Sequence, residues 1–155
     1  MKIKMKEVVM YTTMFLLFLL VIWMMFQPLM SSYSDGALEI GAIYVYGVSF
    51  LNEFGAQGVL TVAFPFLLML VAILDVEEYR KVWLCGVLTF VSLLAYARSL
   101  AFAKLWLCTE VSWGIKYYSG IVMYPVLMVA FMVAVIIWVK KYDADEVDEE
   151  EEEEV

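Results

Sequence analysis

Arg98 is the one charged side chain that falls inside a long apolar run, in the stretch "LAYARSLAFAK" from Leu94 to Lys104. An arginine in that setting is either a binding charge for an anionic solute or half of an ion pair. If the hydrocarbon core begins near Val82, a helix rising about 1.5 Å per residue carries Arg98 about 24 Å across, roughly 6 Å short of the far edge of a core about 30 Å thick. A long side chain covers much of that distance by snorkelling. Ala95, Ser99 and Ala103 repeat every four residues around it, a spacing at which small side chains let helices approach closely. The expectation is therefore a helix-packing face formed by Ala95, Ser99 and Ala103. Arg98 is expected to point into the bundle near its outer end and meet a carboxylate there. Glu53 is the first candidate, followed by Glu110, Asp35 and Glu39.

Other reactive groups are sparse. The chain has no His and two isolated Cys, which excludes many metal and haem sites and leaves carboxylate-only sites open; no cofactor or metal is expected. Cys85 and Cys108 lie on one helix path about 35 Å apart by helical rise, too far to bridge within the chain. This removes disulfide exchange chemistry, which uses closely spaced thiol pairs. Tyr11, Thr12, Thr13, Thr61 and Thr89 supply hydroxyls inside apolar runs, but a nucleophilic hydroxyl needs a base, and no intramembrane carboxylate, His or Lys is present. Single hydroxyls of this kind are expected to bond the carbonyl four residues back. The same lack of a membrane carboxylate argues against proton-coupled transport. The residues thus point away from an enzyme.

The elements that hold these groups follow from hydropathy. Of the 155 residues, 65% are hydrophobic and the mean hydropathy is +0.85, far above soluble usage. Four runs are long enough to cross a bilayer, at about 8–26, 57–74, 82–104 and 119–139. These leave outer loops at 27–56 and 105–118 and a tail at 143–155, with residues 1–142 as one membrane domain and no room for a separate soluble domain. The expected fold is an all-α, four-transmembrane-helix bundle. Lys2, Lys4 and Lys6 precede the first run, but its length exceeds that of a secretory h-region and no small-residue cleavage site follows, so it reads as an anchor. Lys2, Lys4, Lys6, Arg80, Lys81, Lys140 and Lys141 share one side, against Lys104 and Lys116 on the other. By the positive-inside rule both termini are expected in the cytoplasm of a multi-pass protein of the cell membrane.

Loops and tail add detail. "DVEEYRK" is a tight turn that makes the second and third spans antiparallel neighbours. The first outer loop is too long to lack structure. Its segment "ALEIGAIYVYGVSF", after the turn-like "SSYSDG", favours a β-hairpin, with an interfacial helix as the alternative. Trp106, Trp113, Tyr117 and Tyr118 suit an interfacial belt. Pro65 and Pro125 fall within the second and fourth spans, where each frees a backbone carbonyl. Ten of the eighteen acidic residues lie in the last thirteen positions. Such a block of like charge is expected to be solvated and disordered.

Four spans with a β-rich first outer loop form a layout similar to that of the claudin and tetraspanin groups. The motifs of those groups are not present. Claudins carry W-x(n)-G-L-W-C-C in the first outer loop, where residues 28–57 here contain neither Trp nor Cys; tetraspanins place C-C-G in the second, where this chain has "LCTEVSWG". Small multidrug transporters use a Glu in the first span, and Val8 to Phe26 has none. The function expected from the residues is a non-catalytic accessory or assembly subunit, or scaffold, of a membrane complex. Its partners would be the lipid bilayer and other membrane subunits or further copies of itself. The alternative is a small channel or transporter for an anionic or small solute, with Arg98 near the outer entrance. A clustered basic face is lacking, which sets nucleic acid aside.

Overall fold

Inside a bilayer every backbone polar group needs a partner within the protein, so long apolar runs become helices. A computed structural model describes the backbone of residues 5–33, 43–53, 55–110 and 114–153, and side chains within 8–32, 43–51, 55–107 and 114–141. Its elements are α1 (Met5–Met25), β1 (Pro28–Tyr33), β2 (Tyr44–Tyr46), a 3-10 turn (Gly47–Ser49), α2 (Phe50–Glu53), α3 (Gly55–Ala72), α4 (Glu78–Glu110), β3 (Gly114–Tyr117) and α5 (Gly120–Glu153). Four windows are long and apolar enough to span: Val8–Met25, Gly55–Ile73, Glu78–Leu107 and Gly120–Lys141. The architecture is a helical bundle with a small sheet at one end that does not close into a barrel.

The helices are not equivalent. α3, α4 and α5 pack on one another, while α1 lies chiefly against α5. Tyr11 meets Trp138 edge-on at 6.4 Å, and Phe18 touches both Phe66 and Phe131, at 5.5 and 5.9 Å. These contacts put the start of α1 beside the far part of α5. Phe64, Leu68, Met128, Phe131 and Val135 are fully buried and fill the interior. Lipid tails are as apolar as these side chains, so their burial supplies little drive for helix association; close packing and hydrogen bonds must do it.

The two prolines show how. Pro65 lies inside α3 and Pro125 inside α5. A proline has no N–H to give the carbonyl four residues back, which orphans Thr61 O and Ile121 O. Both are met by a tyrosine from a neighbouring helix. Tyr124 Oη on α5 donates to Thr61 O at 2.7 Å, and Tyr96 Oη on α4 donates to Ile121 O at 2.9 Å. The two phenol rings pack at 5.1 Å and are both buried. One relay thus ties α4 to α5 and α5 to α3. The hydroxyls of Thr13, Thr61 and Thr89 bond back to Val9, Gln57 and Cys85, as their isolation in apolar helices leads one to expect.

The sheet has the order β2-β1-β3, both pairs antiparallel. Pro28 opens β1, where a missing N–H is tolerated. The register then slips between Pro28 and Met30, a bulge that leaves Leu29 buried in the core. Met30 faces Tyr117 and Ser32 faces Ile115 across the other edge. The hairpin strands sit further apart in sequence than the residues suggest, because "SSY" belongs to β1 and not to the turn. The second outer loop, read from sequence as interfacial anchoring, supplies a third strand. β2 then leads through the 3-10 turn into α2, which folds so closely onto α3 that a Cβ at Gly58 would overlap the carbonyl of Phe50.

The last helix departs from expectation. Like charge over residues 143–153 favours an unstructured block, yet the backbone is helical to Glu153. Extending an existing helix costs far less than nucleating one, and Glu is a good helix former.

If the relay holds the bundle, Tyr124→Phe should cost about 1–2 kcal/mol in reversible unfolding from mixed micelles, because it leaves a buried acceptor unmet. In a Pro65→Ala background, where residue 65 regains its N–H, the same change should cost under about 0.5 kcal/mol. Equal costs in the two backgrounds would contradict the capping.

Candidate functional site

α4 is the element that carries the charges. Its buried face runs through Cys85, Thr89, Ser92, Tyr96, Ser99, Ala103 and Leu107, in steps of four or three, which keep one side of a helix toward its neighbours. Most of these side chains are small, and this lets α3 and α5 come close. Ala95 borders the same face and is 8% exposed. The Oγ atoms of Ser92 and Ser99 are buried without a hydrogen-bond partner, so the polar groups along this face do not join into a pathway. Cys85 is a buried free thiol, and Cys108 lies outside the residues whose side chains are described. Among the described residues no cluster of His, Cys, Asp or Glu could hold a metal ion.

Arg98 does not share that face. Successive residues turn by about 100° around a helix, so the centre of the Ala95, Ser99 and Ala103 row lies about 100° from Arg98. Arg98 is exposed on the flank of α4, with its guanidinium carbon 5.7 Å from the centre of the Phe102 ring. This corrects the expectation that it points into the bundle. A cation over an exposed aromatic face contributes about 0.5–1 kcal/mol. Glu53 ends α2 and Glu110 ends α4, and their side chains, like Asp35 and Glu39, lie outside the described residues. Because α4 is continuous, Glu110 stands about 18 Å further along its axis. That exceeds the combined reach of the two side chains in one chain.

A groove opens at the sheet end of the bundle. It holds about 310 Å³ and is lined by Met30 of β1, Leu100, Ala101 and Lys104 of α4, Tyr117 and Tyr118 beside β3, and Ile121 and Val122 of α5. The sheet fixes its rim. Tyr118 N donates to Leu29 O at 3.0 Å, and the Tyr118 hydroxyl lies 3.3 Å from Ser31 Oγ. Lys116 Nζ sits over the Tyr118 ring at 5.3 Å. A second hollow of about 320 Å³ lies at the other end, among Tyr79, Arg80, Trp83 and Leu84. There Arg80 pairs with Glu77 at 3.1 Å in an exposed i,i+3 contact, a pair worth little in water.

Reading the residues alone misses Tyr96 and Tyr124, the donors to the orphaned carbonyls. A usable signal exists: a proline deep in a span requires a donor from elsewhere, and few side chains near Pro65 and Pro125 can donate. It also misses the groove, which needs β3 to form its rim.

Arg98→Gln should change the unfolding stability of the isolated protein by under about 0.5 kcal/mol, whereas Ser99→Leu on the packed face should cost about 1–3 kcal/mol. A larger loss from the Arg98 change than from the Ser99 change would restore a structural role for the arginine. No family model, no curated protein and no solved structure matches the chain in comparisons with known proteins.

Proposed function

We propose that the protein is a non-catalytic membrane subunit, an accessory or scaffolding component of a larger complex, which associates through the α4 surface around Arg98. The observation that carries this reading is a charged residue displayed outward, within a span, from a bundle whose interior is already filled. Val91, Leu94, Phe102 and Leu105 surround it, all exposed and apolar. Placing an arginine in hydrocarbon costs about 2.5–3.5 kcal/mol at mid-span on insertion scales, less nearer the edge. A carboxylate on a neighbouring span would offset that cost. Among the described residues this chain's own span windows contain only Glu78, at the opposite end of α4, so a complementary carboxylate within the membrane would come from a different protein.

The orientation follows the positive residues: both termini in the cytoplasm, the three-stranded sheet outside, and the acidic end of α5 extending inward. In that frame the surface offered to partners within the membrane is the sides of the helices. α1 contributes to it, with Phe15, Leu16 and Trp23 all exposed. Channel or transporter activity has less support. Phe64, Leu68, Met128 and Phe131 occupy the middle of the bundle with no exposed surface, and Arg98 faces away from them.

A photoreactive residue at Leu94 or Leu105, expressed in native membranes, should capture one protein of discrete mass. The adduct should be reduced at least fivefold by Arg98→Gln and be absent with the probe at Ile137, on an exposed part of α5. Capture of lipid alone at all three positions would overturn the proposal.

A further inference from the structure

We propose that the groove at the sheet end seats part of one acyl chain of an anionic phospholipid, with the lipid phosphate held by Lys104. The first support is depth. Lys104 lines the same groove as Ile121, the second residue of the α5 span window. At about 1.5 Å per residue Ile121 stands about 2 Å inside the start of that window, so the groove opens near the level at which a phosphate joins the first methylenes of a lipid.

The second support is the division of the walls. Leu100, Ala101, Ile121, Val122 and Met30 make an apolar trough that runs along the helices. Among the described residues of the lining Lys104 is the only charge, with no carboxylate beside it. Ala101 is the smallest side chain among the described lining residues. A volume of about 310 Å³ is at the lower end of ligand pockets, roughly 300–1,000 Å³, which suits part of one chain and not a whole lipid. Tyr117 is exposed beside Lys104 and can donate its hydroxyl to a phosphate oxygen, while Tyr118 is held in place by Ser31 and by its backbone bond to β1.

The third support is charge at the rim. Lys116, on β3, is exposed and lies over Tyr118, adding a second cation within the same rim. Two cations, with no acid among the described lining residues, favour a headgroup with net negative charge over a zwitterionic one, whose own ammonium would meet Lys104 and Lys116. The inference does not depend on what binds Arg98, which sits on another side of α4.

The test uses the full-length protein, stripped of lipid in detergent and titrated with phosphatidylglycerol or phosphatidylcholine, with bound lipid counted by native mass spectrometry. Wild type should retain one phosphatidylglycerol about fivefold more tightly than phosphatidylcholine, the preference one lysine near a lipid surface supplies. Lys104→Gln should remove that preference, and Ala101→Phe, which fills the trough and keeps the charge, should lower retention of both lipids. Lys140→Gln, an exposed cation at the opposite end, should leave the preference intact. Equal retention of the two lipids by wild type, or a preference that survives Lys104→Gln, would overturn the proposal. Retention unaffected by Ala101→Phe would overturn the groove as the seat. Variants are to be compared only after circular dichroism shows native helix content; if Ala101→Phe does not fold, Val122→Trp tests the same space.

Discussion

A carbonyl oxygen freed inside a membrane span needs a donor from the protein, and this chain frees two by placing Pro65 and Pro125 inside spans, Thr61 O within α3 and Ile121 O close to the start of α5. Leaving either unmet would cost several times what a helix–helix contact in lipid returns. Tyr124 and Tyr96 resolve the problem from neighbouring helices. The result is directional in a way that packing is not. Each hydroxyl reaches its carbonyl only if the two helices adopt one rotation and one vertical offset, so the bonds that satisfy the backbone also specify how α3, α4 and α5 sit together.

The rest of the structure is arranged around that three-helix unit. The small residues on α4 permit the close approach that brings Tyr96 to α5, and α5 presents Tyr124 to α3. α1 stands against α5 with much of its surface uncovered. At the sheet end, β1 follows α1 and pairs with β3, which leads into α5, so backbone hydrogen bonds join the first and last spans in addition to the packing of α1 on α5. A packed and pinned interior leaves the outer surfaces free for lipid and partner contacts. Arg98 and Lys104 both lie there, on different sides of α4.

Much of the helical frame was legible in the residues. Runs of some twenty apolar side chains have one stable form in a membrane, and the turn "DVEEYRK" admits one arrangement of its flanking helices. The sheet was only half legible: the Tyr, Val and Ile of the first loop signal strand, but "GIKY" in the second is too short to show alternation and becomes a strand because β1 has an open edge. Arg98 was misplaced for a geometric reason. The Ala95, Ser99 and Ala103 spacing describes a face, and a residue one position from Ser99 is turned about 100° away from it. The tyrosine caps were illegible because a hydroxyl's partner depends on which helices become neighbours. The prolines announced the need for a donor, not its source.

The most direct measurement is the carbonyl stretch of Thr61, isolated by carbon-13 and oxygen-18 labelling of that single carbonyl and recorded by infrared spectroscopy in lipid. The expected result is a low-frequency band of a hydrogen-bonded carbonyl that moves to higher frequency in Tyr124→Phe and stays in place in Tyr96→Phe. A band already at the free-carbonyl frequency in the native protein, or one indifferent to Tyr124, would contradict the tyrosine cap on which the bundle depends.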